Sequence, residues 1–251
     1  MSQPETIIEE RAAQPVPLAP KRISIVGFTA SNRKAPWGQE GYEIWVLNNL
    51  PRIVPDGWHR TYDLHTLEEI AAYPEPDREF YTGKPVDRLD GQGKVALNDC
   101  PLYTFYPQPE WPTAIPFPKD EVVALGQGYF TNSISWMVCA AVLEMAQAGE
   151  AFAEAKLTEL ETVAEDKGYH AMVEPGLRAA LKAEYLAQCE LQIVGVDMST
   201  GGEYAAQRPS CELHIGIAQG MGIKVDIPLE SDLLKSVGMY GTMDQTPLAA
   251  K

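Results

Sequence analysis

The chain has 251 residues, 45% of them hydrophobic and 22% charged, with a formal net charge of −15. That length suits one large domain with a sizeable core. An acidic chain disfavours tight binding to a phosphate backbone, which calls for a basic surface, and no apolar run reaches the ~20 residues of a membrane span. We therefore expect no membrane partner, and treat nucleic acid as a disfavoured one.

Residues 1–20 read as a flexible, polar, proline-bearing arm without the apolar stretch of a secretion signal. Residues 21–251 are read as a single domain. RISIVGF (Arg22 to Phe28), YEIWVLNN (Tyr42 to Asn49) and HRTYDLH (His59 to His65) are short apolar runs with β-branched or aromatic residues, and predict buried strands. Thr66 can cap a short helix over TLEEIAAY. From Pro74 to Lys119 the periodicity disappears among dense prolines, predicting a long loop whose rings, Tyr103, Phe105, Tyr106, Trp111 and Phe117, either staple it to the body or stack on a ligand.

Tyr129 to Gly149 is the clearest helix, capped by Thr131 or Asn132, apolar around most of its circumference and ended by Gly149. Glu150 to Glu190 is rich in Ala, Glu and Leu and breaks near Lys167-Gly168, so it predicts an inserted hairpin of two amphipathic helices, a candidate surface for a homo-oligomer. Leu191 to Asp197 is another buried strand. Pro209 to Gly222 is a helix with Pro209 in its first turn, and Ile223 to Pro228 is the last strand, followed by a short terminal helix at Ser231. Cys100, Cys139, Cys189 and Cys211 show no CxxC spacing and the four histidines are scattered, so reduced thiols and no metal site are expected.

Continuous apolar strands alternating with helices argue for an α/β, Rossmann-like fold: a mostly parallel sheet with helices on both faces, here with the helical hairpin and the Pro-rich loop added. Ligands of such sheets sit beyond the carboxyl ends of the strands, near a switch in strand order. The residues that follow the strands are then candidates: Gly27 and Ser31 after the first, Asn48 and Asn49 after the second, Asp63 and His65 after the third, and Gly195, Asp197, Tyr204 and Arg208 after the strand at 191. Thr131, Asn132 and Ser133 open the long helix, where free backbone N–H groups favour an anion. Amides and hydroxyls in this mixture suit nucleobase edges and ribose. The strand-end Asp197 is a ribose acceptor, a base or a turn cap, and Arg208 is a phosphate ligand or a partner of Glu203 or Glu212. His65 and His214 are the candidate general bases. G-x-G-x-x-G, the P-loop, H-E-x-x-H and G-x-S-x-G are all missing from the sequence.

The succession ISIVGFTASN, EIWVLNN, FTNSISWMVCAAVLEMAQAG and LQIVGVDM resembles single-domain Rossmann-like bacterial sialyltransferases and the related motility-associated transferases that modify flagellin. The resemblance implies that Gly27, Ser31, Asn48 or Asn49, Thr131, Ser133, Gly195 and Asp197 contact the nucleotide of a CMP-sugar, and that a histidine in the carboxyl-terminal part, here His214, acts as base. The chain also resembles a group of phage-encoded proteins through EIW, the D-x-H strand end, the T-x-S helix opening and the run GVDM, EY, QRP and IGIA between Gly195 and Ala218. The expectation is a nucleotide-sugar-dependent glycosyltransferase of the cytoplasm, the host's if phage-encoded. Its acceptor would be, for example, a hydroxylated base in phage DNA or a host glycan. Asp197, Tyr204 and Arg208 would hold sugar, ribose or phosphate. The alternative expectation is a non-catalytic protein that sequesters a small nucleotide or assists assembly.

Overall fold

The computed structural model describes residues 19–166, 175–198 and 204–235. In chain order the elements are β1 (Arg22–Val26), β2 (Glu43–Leu47), β3 (Arg60–Asp63), α1 (Leu67–Ala71), α2 (Glu75–Tyr81), β4 (Val86–Asp87), β5 (Lys94–Val95), β6 (Leu102–Thr104), β7 (Ala114–Pro116), α3 (Lys119–Gly126), α4 (Ser133–Asp166), α5 (Pro175–Leu186), β8 (Glu190–Val194), α6 (Tyr204–Gly220) and β9 (Lys224–Asp226). Seven strands form one sheet in the order β7-β6-β3-β2-β1-β8-β9, and every pairing in it is parallel. The remaining two, β4 and β5, make a small antiparallel hairpin. The expected α/β, Rossmann-like sheet is therefore present.

Alternation along the strands divides the core. Ile23, Ile25, Trp45, Leu47, Tyr62, Leu191 and Ile193 face α3, α4, α5 and α6. Val26, Ile44, Val46 and Val194 face the other way, against Ala35, Leu50 and Val54 from short 3-10 turns. Leu102 extends that second face onto Phe80 and Tyr81 of α2. A period of two on strands buried on both sides reads as a continuous apolar run, which is how β1, β2 and β8 are legible from sequence. Met137, Val138, Ala141, Val142 and Met145 of α4 are all buried against the sheet, and full burial of each larger side chain contributes about 1.5–3 kcal/mol before entropy is counted.

Three expectations are corrected. First, α4 does not stop at Gly149 but runs 34 residues to Asp166, so the hairpin is the far half of α4 packed on α5. The break expected near Lys167-Gly168 lies outside the described residues. A Cβ at Gly149 would stand 3.3 Å from Lys182 Cγ and from Tyr185 Cδ1, so this glycine admits α5 rather than ending α4. Second, Pro74 to Lys119 is not one loop, since it supplies α2, the β4–β5 hairpin and the sheet strands β6 and β7. Its rings serve the body: Trp111 and Phe117 are buried, Trp111 packs on Tyr81, and Phe105 meets Phe117 and Trp136 edge-on. Third, Pro209 lies inside α6, which begins five residues earlier than expected.

The chain lays down β1, β2, β3, β6 and β7 in one direction, then returns across α4 and α5 to place β8 on the other side of β1. The strand order reverses between β1 and β8, which is where parallel α/β sheets open a crevice at their carboxyl edge.

Candidate functional site

A cavity of about 690 Å³ opens at that reversal. Its walls come from the ends of four strands and the start of α4: Gly27 to Thr29 after β1, Leu47 and Asn48 at the end of β2, Leu64 and His65 after β3, Gly195 to Met198 after β8, and Phe130 to Ile134 with Trp136 at α4. Glu69 of α1 and Gln207 of α6 complete it. The volume is that of an ordinary small-molecule site.

The floor is a backbone contact. Gly27 N donates to Val194 O at 2.8 Å and Thr29 N to Gly195 O at 2.9 Å. A Cβ on Gly27 would lie 2.3 Å from Gly195 O, and one on Gly195 would lie 2.3 Å from Gly27 O, with Gly195 also at φ +70°. Only glycine fits at either position, and the two segments can close to this distance because neither residue carries a side chain. Ser31 locks the pair from below. Its hydroxyl accepts from Gly195 N at 2.8 Å and donates to Asp197 Oδ1 at 3.4 Å. Ser31 is buried and forms no part of the cavity wall; it positions Asp197, which does line it.

Asn48 sits in the left-handed region at φ +44°, where asparagine is tolerated better than most residues. Of the five buried side-chain polar atoms that lack a hydrogen-bond partner among the described residues, two, Asn48 Oδ1 and Thr29 Oγ1, belong to residues of the cavity wall. Each such atom costs about 1–3 kcal/mol, and strained or unsatisfied groups gather at functional sites. Asn49 takes no place in the wall and instead precedes the 3-10 turn Leu50–Arg52.

At α4 the cap is Asn132, whose Oδ1 accepts from Ser135 N at 2.8 Å. Its Nδ2 donates to Gln207 O at 2.8 Å, and Thr131 Oγ1 lies 2.6 Å from Ser210 Oγ. Thr131 and Asn132 line the cavity, but their side chains tie α4 to α6. What α4 offers inward is the first turn itself at Ser133 and Ile134, where backbone N–H groups have no partner within the helix and the dipole is positive.

The polar wall is at β3. Asp63 is fully buried at the strand's end. Its Oδ1 lies 2.8 Å from His65 Nδ1 and accepts from His65 N at 3.1 Å, while Oδ2 accepts from the Tyr81 hydroxyl. The Tyr73 hydroxyl lies 2.8 Å from His65 Nδ1 as well. The hydrogen bond to Asp63 raises the pKa of His65 above the ordinary histidine value, against a smaller opposing effect of burial. The His65 side chain stays 34% exposed, against 1% for Asp63.

His214 is placed elsewhere. It is buried within α6, with Nδ1 2.6 Å from Ser210 O and Nε2 3.3 Å from Gly126 O. Phe130 stacks on its ring at 4.5 Å, and Trp136 stacks on Phe130 at 3.8 Å. It therefore stands behind the cavity's aromatic wall and does not reach the cavity; burial lowers its pKa. Arg208 does not line the cavity either. Its Nε pairs with Glu212 at 2.7 Å and its other end donates to Lys235 O, because the segment before Lys235 folds back onto α6. Tyr204 starts α6, and its side chain lies outside the described residues, as does Glu203.

The structure thus gathers Gly27, Asn48, His65, Thr131, Asn132, Ser133, Gly195 and Asp197 around one cavity, and leaves Ser31, Asn49, Arg208 and His214 off its wall. Sequence reasoning did not single out Phe28, Glu69, Phe130, Trp136 and Gln207 on the wall, nor Tyr73 and Tyr81 behind Asp63. The D-x-H spacing was the one available signal for the last group. No group of three or more His, Cys, Asp or Glu side chains suited to a metal ion occurs among the described residues, and no described helix is long and apolar enough to cross a membrane. Comparisons with protein-family models, with curated proteins and with solved structures find no match to this chain.

Proposed function

We propose that the chain is a glycosyltransferase that takes its sugar from a nucleotide donor held at the β1–β8 reversal. The observation that carries this reading is the carboxylate-backed His65 on the wall of the same cavity into which α4 opens its first turn. A proton acceptor and an anion seat facing one space is what transfer from a glycosyl phosphate requires. The acceptor hydroxyl gives its proton to His65, and its oxygen bonds to the anomeric carbon. The bond from that carbon to the donor's phosphate oxygen breaks, and the nucleotide leaves with the electron pair, its phosphate at Ser133 and Ile134. In this reading the Asp197 carboxylate, which accepts from Ser31 at 3.4 Å, also accepts from ribose hydroxyls.

The charge of the wall narrows the donor. Among the described residues, neither lysine nor arginine lines the cavity, whereas Glu69 and Asp197 do. One helix terminus suits a single phosphodiester better than a diphosphate, so a nucleoside-monophosphate sugar is the favoured class. Thermal denaturation with CMP, UDP, GDP, ADP-ribose and NAD tests the binding, because a ligand of the folded state raises the melting temperature by linkage. A rise with CMP and release of CMP from a CMP-sugar in the presence of an acceptor are the expected results. A nucleotide that binds and is never cleaved, whatever acceptor is supplied, would replace the transferase with a nucleotide-sequestering protein.

A further inference from the structure

We infer that Asp63, Tyr73 and Tyr81 form a positioning set that keeps the proton of neutral His65 on Nδ1 and leaves Nε2 bare as the proton acceptor facing the cavity. What Nε2 then does rests on the transferase reading; the tautomer itself does not.

The reasoning begins with Asp63. Oδ1 already accepts from His65 N and Oδ2 from Tyr81 OH, so both oxygens of this buried carboxyl serve as acceptors. As a carboxylate, which only accepts, it cannot face a lone pair at 2.8 Å without repulsion. Nδ1 must therefore carry the hydrogen. Tyr73 cannot reverse this. Its hydroxyl oxygen lies at the same 2.8 Å from Nδ1 but can rotate its own hydrogen away. Tyr73 then takes the second arm of a three-centre bond from Nδ1. With Nδ1 committed, the ring has one nitrogen left, and His65 is the residue of the set that lines the cavity. Second partners of this kind fix tautomer and ring orientation at functional histidines generally.

The other groups around the ring agree. Asp63 and Glu69 both favour the charged form of His65. Tyr73 and Tyr81 are held protonated, chiefly by burial and by the charge of Asp63, with Asp77 of α2 adding to the effect. No neighbour named by these contacts is a cation that would expel a proton from Nδ1. Asp63 and the two tyrosines do not touch the reacting atoms; they act through His65.

Long-range 15N–1H correlation spectra of the labelled full chain test this without any ligand. His65→Gln identifies the His65 signals among the four histidines. The expected result is an Nδ1–H tautomer above the midpoint of titration, with that midpoint above the ordinary histidine value. Asp63→Asn should lower the midpoint by about one unit or more and admit the Nε2–H tautomer. Tyr73→Phe, which removes only a hydroxyl, should keep the tautomer and shift the midpoint less. A neutral His65 protonated on Nε2 in the unaltered chain would overturn the proposal, and needs no variant to fold. So would an unchanged tautomer and midpoint in a folded Asp63→Asn chain. Spectra as expected from a protein that turns over no nucleotide-sugar would leave the positioning set standing and sink the transferase reading instead.

Discussion

One histidine lines the cavity and another stands behind its aromatic wall, and their surroundings make them opposites. At the end of β3, His65 leans on a buried carboxylate while one edge of its ring stays open. At the junction of α6 and the end of α3, His214 is enclosed between two backbone carbonyls and the ring of Phe130. A carboxylate partner stabilises the imidazolium, whereas burial among neutral groups disfavours it, so one pKa rises and the other falls. Residue type does not separate them, since both stand as candidate bases in the sequence. What separates them is the chemistry of the nearest partner and the open edge. One is equipped to exchange protons, and the other is built into the packing.

Substitution should divide them in the same way. His65→Ala is expected to lower turnover of a nucleotide-sugar by about 100 to 10,000-fold, the usual contribution of a general base, with the melting temperature nearly unchanged. Steady-state kinetics beside a thermal melt would check it, and retained turnover would remove His65 from the chemistry. His214→Ala should do the reverse. Removing a stacked ring from a closed site is expected to cost about 2–4 kcal/mol in urea unfolding; a loss below about 0.5 kcal/mol would mean the ring is not part of the packing. A smaller effect should come from Gly126→Ala. The added Cβ would stand 2.4 Å from Phe130 Cζ and 2.7 Å from His214 Nε2, and overpacking of this kind costs about 1–3 kcal/mol. That variant should also disturb Trp136 fluorescence, because Phe130 stacks on that indole.

The smallest effect is in pH dependence, where the two should carry opposite signs. For His214 the folded pKa lies below the unfolded one, so its contribution to stability is full above the ordinary histidine value of about 6.5 and is lost as pH falls through the folded value. For His65 the folded pKa is raised, so its contribution is full below about 6.5 and is lost as pH rises through the folded value. The latter should be the weaker, since its ring is a third exposed and partly screened. Urea midpoints across pH 5 to 9, repeated for His214→Gln and His65→Gln, should lose the acid limb in the first and the alkaline limb in the second. Curves with both limbs in both variants would show that other groups set the profile.

Much of this frame was legible in the sequence, and the omissions have physical causes. β1, β2 and β8 announce themselves because strands buried on two faces read as nearly continuous apolar runs. β6 and β7 do not, because each is three residues long and Pro116 lies in one of them; pairing with β3 and packing on α2 make them strands. Gly149 and Pro209 read as helix punctuation, but Gly149 lets α5 approach α4, and tertiary packing overrides the local penalty at Pro209. Asp63 stood visibly two residues before His65, yet Tyr73 and Tyr81 reach it only because α1 and α2 fold back under β3.

By itself, the sequence determined the kind of layer each segment could join, the direction a buried parallel sheet imposes, and hence the edge on which polar strand ends would collect. These are local properties, set by periods of two and 3.6 residues and by the conformations glycine and asparagine alone tolerate. The tertiary structure decided which of those ends meet. Residues 27, 65, 133 and 197 share one cavity because β8 returns to the far side of β1. His214 and Arg208 are excluded from it because the carbonyls of Ser210, Gly126 and Lys235 and the Glu212 carboxylate hold their polar atoms; the i,i+4 pair with Glu212 was open to the sequence, whereas the contacts with Gly126 and Lys235 join distant positions and leave no trace in either neighbourhood.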